Sequence, residues 1–202
     1  MTPKRRTSIV VTGDHLVAGH GDGRALGWVG RVAVRTHPAL ENARFYTLAA
    51  PSEDSAQFAD RCIAEAELRY GDDDDKRLVL APGCGDIAAG ISTARSRLNL
   101  ANILDQALSR GYSAFVVGPT PGRSQSENRQ IEELNRGFSE VALRRSIPYV
   151  DCFTPLADHA VWQRELATSS EGLPGQEGYG LLSWLVLNRG WFEWLGVDDV
   201  TG

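Results

Sequence analysis

The sequence predicts an α/β fold: a five-stranded parallel sheet inside a three-layer α/β/α sandwich, formed as one domain over residues 1–202. Three observations predict it. Apolar runs of strand length alternate with segments of helical period, the pattern of strand–helix–strand units. The strand runs are mostly bare of charge and apolar at successive positions, as expected for strands buried on both faces of a parallel sheet. No repeat, low-complexity linker or second core interrupts the 202 residues, a length that suits one domain with a sizeable core.

The elements follow in order. Ser8–Thr12 is the first strand and runs into Gly13-Asp14. Arg44–Ala49 is the second, and a helix follows from about Ser55 to Tyr70 with Phe58, Cys62 and Ala66 inward. Gly71-Asp72-Asp73-Asp74-Asp75-Lys76 reads as a solvated turn before the third strand, Arg77–Ala81; one contiguous acidic run does not wrap a cation easily. Leu100, Ile103, Leu104, Ala107 and Leu108 share a helical stripe, and Gly111 stops it. The fourth strand is Ala114–Gly118. Ser124 and Glu127, at capping-box spacing, open a helix carrying Ile131, Leu134, Phe138, Val141 and Ala142. Pro148–Asp151 is the fifth strand, and Tyr179–Leu187 the last helix, packed onto the sheet by Trp191, Phe192 and Trp194. Ligands of such sheets sit beyond the carboxyl ends of the strands. There lie Asp14-His15, Ser52, Gly83–Asp86 and Pro119–Gly122.

Composition excludes several classes. A net charge of −5 argues against nucleic acid, whose binders need a basic face. No segment approaches the roughly 20 apolar residues that span a bilayer. Lys4-Arg5-Arg6 is basic, but Ile9-Val10-Val11 is too brief for a secretion signal, so the chain reads as cytoplasmic. Cys62, Cys84 and Cys152 are odd in number, without Cys-x-x-Cys spacing, which fits reduced thiols. No metal or cofactor is expected: Asp14, His15, His20 and Asp22 carry ligating side chains at a spacing that matches no metal pattern. Gly19-His20-Gly21-Asp22-Gly23 has its third glycine misplaced for a dinucleotide loop, and no Gly-x-Ser-x-Gly elbow occurs. His37, before Pro38, reads as helix-terminal, and His159 as a surface or packing residue.

Five blocks carry a resemblance. They are Gly13-Asp14-His15-Leu16, Gly27-Trp28-Val29-Gly30-Arg31, Ala49 to Gln57, Leu78 to Asp86, and Ser170 to Tyr179. Together they resemble the SGNH/GDSL hydrolases over nearly the whole chain. The resemblance implies a flavodoxin-like sheet and a serine nucleophile in Gly-Asp-Ser-Leu that attacks an ester carbonyl. It also implies a glycine N–H and an asparagine side chain directed at the oxyanion, and a histidine base before a proline. All four signature positions depart from that pattern. His15 holds the serine's place, Ser52 the glycine's and Gly85 the asparagine's. The histidine is deleted before Pro174, and Glu171 replaces the family's aspartate.

Loss of nucleophile or base costs a serine hydrolase on the order of 10⁶ in turnover, and loss of one oxyanion donor roughly 10² to 10³. The resemblance therefore implies a pseudoenzyme with no assigned catalytic residue, whose degenerate positions are His15, Ser52 and Gly85. Its pocket is expected to be lined by Asp14, His15, Ser52, Cys84, Gly85 and Glu171. The expected partner is a small acyl, carboxylate or ester-like ligand, or another protein. The alternative is an ester or thioester hydrolase with a rearranged site, using Ser52 or Cys84 with His15. A purely structural subunit, with a filled pocket and an apolar surface patch, is the third reading.

Overall fold

Thr7–Gly13 form β1, and all seven residues are buried because the strand lies inside the sheet with helices on both sides. The computed structural model describes residues 6–200; Lys4 and Arg5 of the basic run lie outside the described residues. The other strands are β2 (Ala43–Ala49), β3 (Asp75–Ala81), β4 (Ser113–Val117) and β5 (Tyr149–Val150). All neighbours pair in parallel, in the order β2-β1-β3-β4-β5. The five-stranded parallel sheet is the one the apolar runs predict. β5 is shorter than expected because the Asp151 carboxylate turns to accept from the amides of Phe153 and Thr154, each at 3.0 Å, which ends the strand.

The helices are α1 (His15–Ala18), α2 (Gly27–Thr36), α3 (Ser55–Tyr70), α4 (Gly85–Ala88), α5 (Thr93–Ser109) and α6 (Gln125–Leu143). After the sheet come α7 (Phe153–Ala157), α8 (Ala160–Thr168), α9 (Gln176–Val186) and α10 (Phe192–Leu195). Successive side chains of a strand point to opposite faces. Val10, Leu78 and Leu80 therefore meet Phe58, Ile103 and Phe138 of α3, α5 and α6 on one side. Ile9, Val11 and Val79 meet Trp28, Val32 and Leu182 of α2 and α9 on the other. Asp54 caps α3 by accepting from Ala56 and Gln57 amides at 2.9 Å while Gln57 accepts from the Asp54 amide at 3.1 Å, a full capping box. Ser124 caps α6, but no bond returns from Glu127 among the described residues. The Glu127 carboxylate lies beside Gly122 instead.

The acidic run corrects the expectation of a solvated turn. Asp73 and Asp75 are buried at the amino end of the sheet: Asp73 accepts from Ser8 and Arg44, and Asp75 from Thr7 and from Arg77 at 2.8 Å. Arg77 in turn donates to the carbonyls of Trp194 and Leu195 and lies 5.0 Å from the Trp194 ring. Trp191 is fully buried, edge-on to Phe115 and bonded through Nε1 to Thr36 at 2.8 Å. The aromatic cluster thus fastens the C-terminal helices to the sheet. The chain kinks just before it, where Gly190 takes a φ of 91°. Among the described residues no helix is long and apolar enough to cross a membrane.

Candidate functional site

In this strand order the direction of winding reverses around β1, which opens a crevice between β1 and β3 at their carboxyl ends. Gly13, Ala49 and Ala81 lie level across β1, β2 and β3, so the loops that follow all reach the same place. They enclose a cavity of about 410 Å³. Asp14, His15, Ser52, Cys84, Gly85 and Glu171, drawn from four separate segments, all line it. Glu171 sits at its exposed rim. Sequence reasoning missed Trp28, Glu53, Arg123, Glu127 and Trp162, which also line it. Trp28, Glu127 and Trp162 lie in α2, α6 and α8 and Glu53 and Arg123 in loops, segments distant in sequence that meet at the cavity only after folding.

Asp14 forms the floor. Its Oδ1 accepts from the Leu16 amide at 2.9 Å and caps α1. Its Oδ2 has no hydrogen-bond partner among the described residues, and His15 Nδ1 stands 4.0 Å away, beyond bonding distance. Burial pushes the Asp14 carboxyl above its ordinary value, outweighing the nearby His15 and the Leu16 amide. A side chain at Gly83 would stand 2.9 Å from the Asp14 carboxyl carbon, so only glycine leaves room for it.

Asp22 has a different task. It accepts from the Arg24 amide at 3.0 Å, the Gly27 amide at 2.9 Å and the Arg31 guanidinium. Arg31 holds its carboxyl down at about 2. Tyr179 pins the same loop by donating its hydroxyl to the His20 carbonyl at 2.6 Å. Asp22 is therefore the anchor of the β1–α2 loop, and His20 is exposed beside it.

Ser52 has a φ of 58°, the left-handed conformation that favours the glycine of the resembled family. Glu53 is clamped by Arg61, with Nε at 2.6 Å, and Arg61 also reaches the Gly13 carbonyl at 3.1 Å. The clamp draws the β2–α3 loop across the end of β1. Asp86, buried, accepts from the Ser55 amide at 2.7 Å and ties α4 to the same loop. Between these anchors a Cβ at Gly85 would overlap the Glu53 carbonyl oxygen and stand 2.7 Å from its carbon. An asparagine cannot enter without moving that peptide.

Cys84 lies close by, its Sγ 4.0 Å from the Thr120 carbonyl. Burial pushes its thiol well up, and the charge of Asp14 adds to the effect, so the reactive thiolate is disfavoured. Leu173 and Pro174 line the cavity where the resembled family's histidine would precede its proline. His159 does not line it; it precedes α8, and its Nδ1 is buried without a hydrogen bond among the described residues. Arg123 donates to the carbonyls of Leu166 (2.7 Å) and Ser169, and Trp162 to that of Pro121 (3.0 Å). These bonds fix the far wall. The arrangement supplies a shaped cavity with polar groups on its floor and rim. It does not supply a hydroxyl at the end of β1 or a histidine before Pro174.

Residues 11–181 match the model of the GDSL-like lipase/acylhydrolase family. Among solved structures the chain is similar to a lipase/acylhydrolase from Enterococcus faecalis, at 21% identity and a TM-score of 0.75, covering 97% of this chain and 100% of that one. It is also similar to a psychrotrophic esterase from Pseudoalteromonas sp., at 15% identity and a TM-score of 0.71, with coverage of 94% and 99%. An acetylxylan esterase from Geobacillus stearothermophilus gives 14% identity and a TM-score of 0.72, with coverage of 96% and 98%. A search of curated proteins returns no match. At such identities the structures speak for the fold alone; the family model, which spans most of the sequence, makes this chain a member of the GDSL-like lipase/acylhydrolase family.

Proposed function

We propose that this family member is a pseudoenzyme, which keeps the cavity at the strand ends to bind a small ligand and has lost the serine chemistry. The supporting observation is the closure at Gly85. The oxyanion-donor position carries a shorter residue, and the Glu53 peptide also fills the space a side chain would need. A site under pressure to turn over esters would keep that space, because a directed donor there contributes roughly 10² to 10³ in rate. His15 at the start of α1, two residues beyond β1, and Leu173-Pro174 on the wall support the same reading.

One observation favours a second reading. Ser52 and His15 line one cavity, so a displaced serine with a histidine base is chemically conceivable. Hydrolysis of short-chain aryl esters and acyl thioesters by the purified protein decides between them, with Ser52→Ala and Cys84→Ala as controls. The pseudoenzyme reading expects no turnover above background in all three proteins. Turnover in the native protein that disappears in either variant overturns it and names the nucleophile.

A further inference from the structure

The cavity lining is acidic, which an oxyanion-binding pocket avoids. Among its lining residues are Asp14, Glu53, Glu127 and Glu171, against the single guanidinium of Arg123. Arg61 compensates Glu53 from outside the cavity. Asp14, Glu127 and Glu171 therefore still outnumber Arg123. Asp14 is only 8% exposed, and its Oδ2 lacks a hydrogen bond among the described residues. Oδ2 is not among the side-chain atoms sealed off without a partner, so it opens to the cavity as a free acceptor. The remaining wall is apolar, with Trp28, Val117, Trp162 and Leu166. This is the usual composition of a small-molecule site: apolar walls with a few convergent polar groups that fix orientation.

We infer that the cavity takes a small alkylammonium ion, its N–H donors on Asp14 Oδ2 and its alkyl part along the apolar wall. The carboxylate ligand implied by the family resemblance is the wrong charge for this lining. An ester-like ligand fits if it carries an ammonium group. Burial raises the pKa of the Asp14 carboxyl, and a cation bound beside it would lower it. The inference rests on the reading of the cavity as a binding site.

The test is isothermal titration of the native protein with n-butylammonium and with n-butyrate at equal ionic strength, with ester hydrolysis measured in parallel. Butylammonium is expected to bind at least about ten-fold more tightly than butyrate. Asp14→Asn can still cap α1 through its amide oxygen, and it is expected to abolish the preference. Glu127→Gln, on the wall, is expected to reduce it about two-fold to three-fold. Equal or tighter binding of butyrate overturns the inference, as does an absence of butylammonium binding, or a preference that survives in Asp14→Asn. Native ester turnover overturns the pseudoenzyme reading instead, so the two failures are distinguishable.

Discussion

Asp14 and Asp22 lie eight residues apart in the same β1–α2 connection, both buried, and the protein treats them in opposite ways. Asp22 gathers backbone amides and the Arg31 guanidinium, and its carboxyl is held down at about 2. Asp14 accepts from the Leu16 amide and has no guanidinium beside it, and burial pushes its carboxyl up. A buried charge that serves only the fold is surrounded with donors, because an unpaired one costs several kcal/mol. Asp14 instead keeps Oδ2 open to the cavity, where a ligand can reach it.

The sharpest way to break the contrast is to remove Asp22's partner. Arg31→Ala leaves the Asp22 carboxylate buried without its guanidinium and should destabilise the protein by about 3 kcal/mol, read by urea denaturation. A loss below about 1 kcal/mol would mean that the backbone amides suffice, and the two aspartates would differ less than their surroundings indicate.

The pH dependence of stability sharpens the comparison, because the two groups carry opposite signs. Asp22's folded value of about 2 lies below its ordinary 3.8, so its contribution is complete above about pH 4 and is lost as pH falls toward 2. Asp14's folded value lies above 3.8, so its burial favours the protonated form, and stability is lost as pH rises from 3.8 through the folded value. Asp22→Asn should therefore cost about 2 kcal/mol at pH 7 and flatten the acid limb. Asp14→Asn should raise stability by up to about 1 kcal/mol at pH 7 and leave the acid limb unchanged. Urea midpoints between pH 2.5 and 7 check both; a destabilised Asp14→Asn at pH 7 would mean that the protein already satisfies Oδ2.

The sheet was legible in the sequence because parallel strands buried on both faces are written as contiguous apolar runs, such as Ile9-Val10-Val11 and Leu78-Val79-Leu80. The six pocket residues came from the family resemblance of the blocks, not from local pattern, and all six line the cavity. What local pattern could not reveal depended on distant partners. Asp73 and Asp75 read as solvated until Ser8, Arg44 and Arg77 are brought beside them. Glu53 and Gly85, 32 positions apart, interlock only once Arg61 and Asp86 have drawn the loop across the end of β1. The Asp54–Gln57 capping box is different: its Asp-x-x-Gln spacing is readable in the sequence and both bonds form, whereas Ser124–Glu127 has the spacing with only the bond to Ser124.

The smallest expected effect bears on the roof of the same cavity. Ser52 holds a φ of 58°, a left-handed conformation that costs an L-residue roughly 1–2 kcal/mol and glycine nothing. Ser52 is exposed and makes no hydrogen bond among the described residues, so its removal forfeits little. Glycine gives back part of the gain through its freer unfolded chain, about 0.5–1 kcal/mol. Ser52→Gly should therefore stabilise the protein by about 0.5 kcal/mol, read as a higher urea midpoint at unchanged slope. It should also leave ammonium binding at Asp14 unaltered, because the relief is confined to the backbone of the β2–α3 loop. Destabilisation by Ser52→Gly would mean that the serine hydroxyl bonds something the fold requires. Strain kept at this position would then have a functional purpose, and the displaced-serine reading would regain its footing.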